Sequence, residues 1–81
     1  MLVKFLAFAG LKDVLGYGQK ELLLESKATV ADLVLWLVSN HPEVSPLQSS
    51  LRAAVNQEFV PLETVLGEGD EVALFTPVGG G

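Results

Sequence analysis

The residues with the clearest potential for chemistry are the last three, Gly79, Gly80 and Gly81. Glycine has no Cβ atom and adopts nearly any backbone conformation, so a glycine end can pass through a channel too narrow for side chains. The sequence therefore predicts that the main-chain carboxylate of Gly81 is the reacting group and that Gly79 and Gly80 give it passage into another protein's active site. The alternative is a frayed end without a function.

The side chains offer little other chemistry. The sequence has no cysteine and one histidine, His41. A thiol nucleophile, a disulfide and a cysteine-based metal site are therefore excluded. We interpret His41 as a helix-end residue, because no acid or nucleophile stands at a spacing that would make it a general base. Sulfur or acyl chemistry is expected at the chain end, and neither a metal nor a bound cofactor is predicted.

Composition limits the partners and the location. The 81 residues suit one domain, and no apolar run approaches the roughly 20 residues of a membrane span. Because the first residues also lack a secretory signal, a cytoplasmic protein without membrane contact is predicted. Ten acidic residues against five scattered basic ones argue against nucleic-acid binding. This acidity suits a basic protein partner, or serves solubility alone.

The longest predicted helix begins at Thr29 and ends before Pro42. Thr29 and Asp32 have the spacing of a capping box. Trp36 lies off the centre of the apolar face, and we expect it to pack at the core, because an indole buries a large area; the alternative is an exposed contact. The apolar residues that recur at helical spacing are Val30, Leu33, Val34, Leu37 and Val38.

Five strands accompany this helix. Alternation and turn residues place them at 2–9, 20–25, 51–55, 59–60 and 71–75, with a helical turn at 11–15 and a second helix starting at Ser45 and Pro46. The first and last strands are the most apolar, which favours them as neighbours in the middle of a mixed sheet with one helix across one face. This predicts an α+β protein of the ubiquitin-like β-grasp class, with a domain at 1–75 and a flexible, reactive Gly-Gly tail at 76–81.

Two segments resemble the MoaD-type sulfur carriers, the small subunits of molybdopterin synthase in the ThiS/MoaD β-grasp family. Residues 51–81 carry the stronger likeness, in the Ala-Val-Asn-Gln turn, the Gly-Asp-Glu-Val-Ala start of the last strand and the Pro-Val-x-Gly-Gly ending. Residues 7–16 resemble the segment after that family's first strand. Thr76 and Gly79 depart from the family pattern, and neither departure touches the final Gly-Gly pair.

The resemblance implies a function for the chain end. An ATP-dependent, E1-like enzyme of the MoeB type would adenylate Gly81, and a sulfur donor protein would convert the adenylate to a thiocarboxylate, a nucleophile that needs no general base. A large MoaE-type subunit would accept this tail in a heterotetramer. Sulfur would then pass to cyclic pyranopterin monophosphate and form the dithiolene of molybdopterin. The chain would not be an enzyme on its own, because the catalytic side chains would belong to the large subunit.

Partner docking is expected around the last strand. One helix cannot cover a whole sheet in so small a domain, so apolar side chains such as Phe8 divide between core and interface. Strand alternation places Leu74 and Phe75 on opposite faces, and we favour Phe75 as a partner contact over simple core packing. The predicted partner-binding residues are Phe59, Leu74, Phe75, Pro77 and Val78.

Two other functions would use the same end chemistry. A ThiS-type carrier would deliver sulfur for the thiazole of thiamine, and a ubiquitin-like modifier would be joined through Gly81 to lysines of target proteins. Pro77 and Val78, which precede the glycines, favour a sulfur carrier for molybdopterin over one for thiazole. Sulfur transfer and protein conjugation both begin with adenylation of Gly81, so the sequence does not exclude a ubiquitin-like modifier.

Overall fold

The computed structural model describes residues 1–77, and the predictions made for Val78, Gly79, Gly80 and Gly81, including the flexible tail, lie outside the described residues. Within residues 1–77, five strands, two α-helices and one 3₁₀ segment follow one another. They are β1 (Leu2–Ala7), α1 (Ala9–Leu15), β2 (Gln19–Leu23), α2 (Val30–Asn40), the 3₁₀ segment (Pro42–Ser50), β3 (Arg52–Val55), β4 (Glu58–Val60) and β5 (Glu71–Phe75).

The five strands form one mixed sheet in the order β2-β1-β5-β3-β4. β1 and β5 run parallel in the middle, and every other pair of neighbours is antiparallel. The central pair supplies Phe5, Val72 and Leu74 to the core, all 0% exposed. The β-grasp prediction and the central position of the first and last strands are confirmed, since the most apolar strands take the positions that bury most surface.

The main helix begins with the predicted capping box. The Thr29 hydroxyl accepts a hydrogen bond from the Asp32 N–H at 3.2 Å, and the Asp32 carboxylate accepts one from the Thr29 N–H at 2.9 Å. Trp36 packs at the margin of the core, as expected. His41 ends the helix, as predicted, and its N–H bonds to the carbonyl of Leu37 at 2.8 Å. The buried face of α2 consists of Val30, Leu33, Val34 and Leu37.

The shorter helical segments begin earlier than the sequence indicates. β1 ends at Ala7, and α1 starts at Ala9 rather than residue 11. The 3₁₀ segment starts at Pro42, so the prediction of Ser45 as its N-cap is wrong. The reason is tertiary: Val44 is fully buried and its N–H bonds to the His41 carbonyl at 2.9 Å, so the chain turns directly after α2.

A polar turn aligns the start of β5 with the β3–β4 hairpin. Asn56 and Gln57 form the two-residue turn of this hairpin, with φ values of 51° and 72°. The Asn56 side chain donates to the Asp70 carboxylate and accepts from the Glu71 N–H, both at 3.0 Å. Asp70 in turn accepts from the Gly67 N–H at 2.7 Å. These bonds set the direction in which β5 runs towards its end at Phe75.

Candidate functional site

α2 covers one face of the sheet, and the other face carries an apolar surface. The strand register places Ala54 opposite both Phe59 and Ala73, and it places Arg52 opposite Phe75. Residues opposite one another in neighbouring strands project to the same face. Six of the side chains on this face form what we call the open-face patch: Leu6, Arg52, Ala54, Phe59, Ala73 and Phe75.

Two phenylalanines dominate the open-face patch. The rings of Phe59 and Phe75 lie 5.8 Å apart between centroids, with an interplanar angle of 53°. Phe59 is 84% exposed and Phe75 is half-buried. Together with Ala53, Val60 and the rim residue Arg52, they line a cleft of about 260 Å³. An apolar cleft with one cation at its rim fits a protein partner better than it fits a reaction.

The structure corrects one predicted partner contact. Leu74 is 0% exposed and lies opposite Ala53 on the core side, so the prediction that Leu74 binds a partner is wrong. Phe59 and Phe75 lie on the open face, and Pro77 is exposed. Their contact with a partner stays a prediction. Val78 lies outside the described residues.

A third phenylalanine lies beside the end of β5. Ala7 is opposite Leu74 in the parallel pair, so Phe8, which is extended and 49% exposed, comes next to Phe75. A Cβ atom at Gly10 would lie 3.7 Å from the Thr76 hydroxyl oxygen, so the start of α1 packs against the residue that follows β5. The rings of Phe59 and Phe75 thus lie near the end of β5, and Phe8 follows the neighbouring strand β1.

The sequence reasoning missed Arg52. The signal was available, because the predicted core alternation of Leu51, Ala53 and Val55 places residue 52 on the opposite face. Arg52 stands at the rim of the cleft, where its guanidinium donates to the Leu51 carbonyl at 3.0 Å. It is the one basic side chain in the lining of this cleft, so it supplies a positive charge to any partner there.

A polar cluster lies apart from this patch, on the helix side of the sheet. The Tyr17 hydroxyl lies 3.2 Å from Nε2 of His41, and Nδ1 of His41 lies 3.6 Å from the Glu43 carboxylate. Burial, and secondarily the negative charge of Glu43, raise the pKa of the Tyr17 hydroxyl above its ordinary value. Tyr17 therefore stays protonated and binds His41, which is a structural role. Within residues 1–77, no group of three or more His, Asp or Glu residues could hold a metal ion, and no helix is long and apolar enough to cross a membrane.

The raised pKa of Tyr17 leads to a prediction in alkaline solution. Tyr17 is the one tyrosine in the chain, so tyrosinate absorbance reports its titration, and we expect a midpoint above 10.0. The folded state holds this proton more tightly than the unfolded state does. The protonated Tyr17 hydroxyl therefore makes its full contribution to the free energy of unfolding at pH values below its pKa in the unfolded state. This contribution is lost as pH rises through the pKa of Tyr17 in the folded state.

The effect of Glu43 on the pKa of Tyr17 can be measured separately from the effect of burial. Glu43→Gln removes the nearby negative charge and should lower the midpoint, although not to the unfolded value, because burial is the larger cause. Glu63→Gln, at an exposed acid outside this cluster, serves as the control and should leave the midpoint unchanged. A midpoint of 10.0 or less in the unmodified protein would contradict the prediction.

Comparison with known proteins gives one family and several named relatives. The family model described as the ThiS family matches residues 5–81. A Chlamydomonas reinhardtii protein named molybdopterin synthase sulfur carrier subunit is 32% identical over 83 residues, which cover 100% of both chains. A Mycobacterium tuberculosis protein of the same name is 38% identical over 63 residues, which cover 78% of this chain and 76% of its own.

Solved structures with the same fold include two kinds of protein. The small archaeal modifier protein 1 of Haloferax volcanii is 29% identical, with a TM-score of 0.82 over 95% of this chain and 98% of its own. A chain from the complex of subunits 1 and 2 of the Helicobacter pylori molybdopterin-converting factor is 21% identical, with a TM-score of 0.71 over 100% of both chains. The second likeness shows the fold alone.

Proposed function

Because the chain belongs to the ThiS family, we propose that it is the sulfur-carrier subunit of a molybdopterin synthase. The observation that carries the proposal is the relative of that name, which is 32% identical over the full length of both chains. A second relative, 38% identical, has the same name. The open-face patch supports the proposal as well, because a carrier that reacts inside another subunit needs a surface on which that subunit can dock.

In this proposal the reacting group is the carboxylate of Gly81. A carboxylate is a poor electrophile, so an E1-like enzyme first joins it to AMP, with ATP losing pyrophosphate. The outer sulfur of a persulfide on a donor protein then attacks the glycyl carbonyl and AMP leaves, which gives an acyl disulfide. A thiol cleaves this acyl disulfide, so that the thiocarboxylate is released and the donor sulfur forms a disulfide with that thiol. Its sulfur is anionic at neutral pH and attacks the pterin precursor without a general base. The chain has no cysteine, so no thiol of its own competes for the sulfur.

The open-face patch is the proposed docking surface for the large subunit. Phe59 offers an almost fully exposed ring next to Phe75, and both lie beside the end of β5. A partner bound there covers the apolar cleft. It would also contact Pro77 and Val78 and take up the glycines that follow them. Arg52 at the rim favours an acidic group of the partner at that point. Two carriers around a pair of large subunits would supply the two sulfurs of one dithiolene in the cytoplasm, where ATP is available.

Mass spectrometry tests the carrier function. After incubation with the cognate activating enzyme, ATP and a sulfur donor, the intact chain is expected to become about 16 Da heavier, because one oxygen of the carboxylate is replaced by sulfur. Omission of ATP is the control and should leave the mass unchanged. Absence of the gain under complete conditions would contradict a carrier of any kind.

A second candidate function is attachment to other proteins. The likeness to the small archaeal modifier protein 1 of Haloferax volcanii favours it, at 29% identity and a TM-score of 0.82. A modifier uses the same adenylate, but a lysine amine of a target displaces AMP and an isopeptide bond results. The same experiment with added target proteins distinguishes the two, because conjugates without the thiocarboxylate would favour the modifier. If the thiocarboxylate form of the chain supports thiazole formation rather than molybdopterin formation, the result would favour a ThiS-type carrier for thiamine.

A further inference from the structure

The antiparallel pair of β1 and β2 determines which backbone groups of β2 are used inside the sheet. Met1 and Leu24 exchange two backbone hydrogen bonds, and the Ala7 N–H bonds to the Gly18 carbonyl at 3.0 Å. Hydrogen-bonded pairs occur at every second position of an antiparallel ladder. The even-numbered residues of β2 therefore direct their N–H and C=O groups at β1.

The odd-numbered residues of β2 direct their backbone groups away from the sheet. β2 is an edge strand, and nothing in residues 1–77 pairs with its outer side. Leu23 is 80% exposed. An edge of this kind accepts an additional strand, with main-chain hydrogen bonds for affinity and alternate side chains for specificity. The outward residues are Gln19, Glu21 and Leu23.

A groove runs beside this edge, between the end of β2 and α2. It has a volume of about 390 Å³, and Leu24 and Trp36 supply its apolar walls. A strand added to β2 would place every second side chain on the helix side, next to this groove. The residues that line the groove are Leu23, Leu24, Glu25, Ser26, Lys27, Ala28, Asp32 and Trp36.

Charge opposes the central pairing of this edge with a second copy of the chain. Antiparallel pairing of β2 with itself must keep odd residues opposite odd ones, so that side chains stay on their own face. The register centred on Glu21 places Glu21 opposite Glu21 of the second copy, and the register centred on Lys20 places Lys20 opposite Lys20, whereas the register centred on Leu22 brings no like charges together. Like charges directly opposite destabilise a strand pair. Charge therefore disfavours two of these three registers of self-association, whereas a strand with a cation opposite Glu21 gains from that charge in its own register.

We propose that the outer edge of β2 binds an extended segment of another protein by strand addition. The segment runs antiparallel, with a basic residue facing Glu21 and an apolar residue facing Leu23. In the bound segment, the residue that precedes the one facing Leu23 is also apolar, and its side chain enters the groove beside Trp36. Lys4 lies across from Glu21 in β1 but forms no ion pair with it in the described chain, so the Glu21 charge is available to the segment.

This edge is at the opposite end of the sheet from β4, which carries Phe59 of the open-face patch. A segment bound at β2 therefore leaves the cleft between Phe59 and Phe75 free, and the two surfaces accept different partners at the same time. The inference rests on backbone geometry and charge, and it holds whether or not the chain carries sulfur.

Nuclear magnetic resonance with a synthetic peptide tests the proposal. The probe is acetyl-Thr-Val-Ile-Thr-Lys-Thr-amide, in which lysine faces Glu21, isoleucine faces Leu23 and valine enters the groove. The amide signals of Gln19, Glu21 and Leu23 are expected to shift, and their hydrogen exchange is expected to slow. Replacing the peptide lysine with glutamate should weaken binding roughly fivefold, and Glu21→Lys in the protein should reverse that preference.

Two N-methylated peptides provide a matched control that leaves the protein unchanged. Methylation of the isoleucine nitrogen removes a donor that points at β2 and should abolish binding. Methylation of the following threonine nitrogen, which points away, should leave binding intact. The proposal is overturned if both peptides bind equally, if the shifts appear around Phe59 and Phe75, if no amide of β2 responds, or if sedimentation shows that β2 instead pairs two copies of the chain.

Discussion

Deletion of Gly81 is expected to abolish sulfur transfer and to leave the fold intact. The deletion moves the terminal carboxylate back by about 3.3 Å, the length of one extended residue. A displacement of 1 Å at a reacting atom already costs about a hundredfold in rate, so the loss should be complete for practical purposes. Addition of one glycine after Gly81 displaces the carboxylate in the other direction and should have a similar effect.

Two controls separate a chemical loss from a folding or docking loss. The core that the structure describes extends to Leu74 and does not include Gly81, so the free energy of unfolding should be unchanged by the deletion. Calorimetry should show that the shortened chain still binds the large subunit, because the open-face patch is retained. Molybdopterin formation from the isolated synthase is the decisive measurement. If the shortened chain still supports it, Gly81 does not carry the sulfur.

Phe59→Ser is expected to weaken binding to the large subunit by about thirtyfold. An exposed aromatic ring next to an apolar cleft is the kind of residue whose truncation costs about 2 kcal/mol or more in a protein interface. Phe59 is 84% exposed in the free chain, so the free energy of unfolding should change by less than about 0.5 kcal/mol. Calorimetric titration with the large subunit measures the affinity, and urea unfolding measures the stability.

Leu35→Ser is the matched control for Phe59→Ser. Leu35 is 57% exposed but lies on α2, on the other side of the sheet. Its substitution removes a comparable exposed apolar side chain and should leave affinity for the large subunit unchanged. Equal affinities of the two variants would exclude the open-face patch as the docking surface. The Phe59 variant should also transfer sulfur normally once the large subunit is saturating, which distinguishes it from deletion of Gly81.

Local patterns predicted most of the secondary structure. The capping box of Thr29 and Asp32 and the apolar spacing after it specify α2, because both depend on contacts within one or two turns. The same holds for β5, whose predicted bounds agree with the structure. The start of the 3₁₀ segment was misplaced, since it depends on the burial of Val44 by distant parts of the chain.

The candidate site was predicted in part. Alternation correctly separates Leu74 from Phe75, but it does not say which of the two faces the helix. The predicted set therefore included Leu74, which the structure buries, and omitted Arg52, which stands at the rim of the cleft. Which face stays open depends on the side on which α2 packs, and that is a property of the whole fold.

The sequence by itself determined the kind of chemistry that is available. Without cysteine, and with three glycines as the last residues, Gly81 is the position at which the chain is proposed to carry sulfur. Composition and local spacing are sufficient for that inference, because they concern single residues and their neighbours. Only the tertiary structure decided which side chains meet. Phe59 and Phe75 come from separate strands, and the fold brings their rings to 5.8 Å between centroids. The hydrogen-bond pattern between β1 and β2 likewise left one edge of the sheet open, because strand pairing determines the direction of every backbone group.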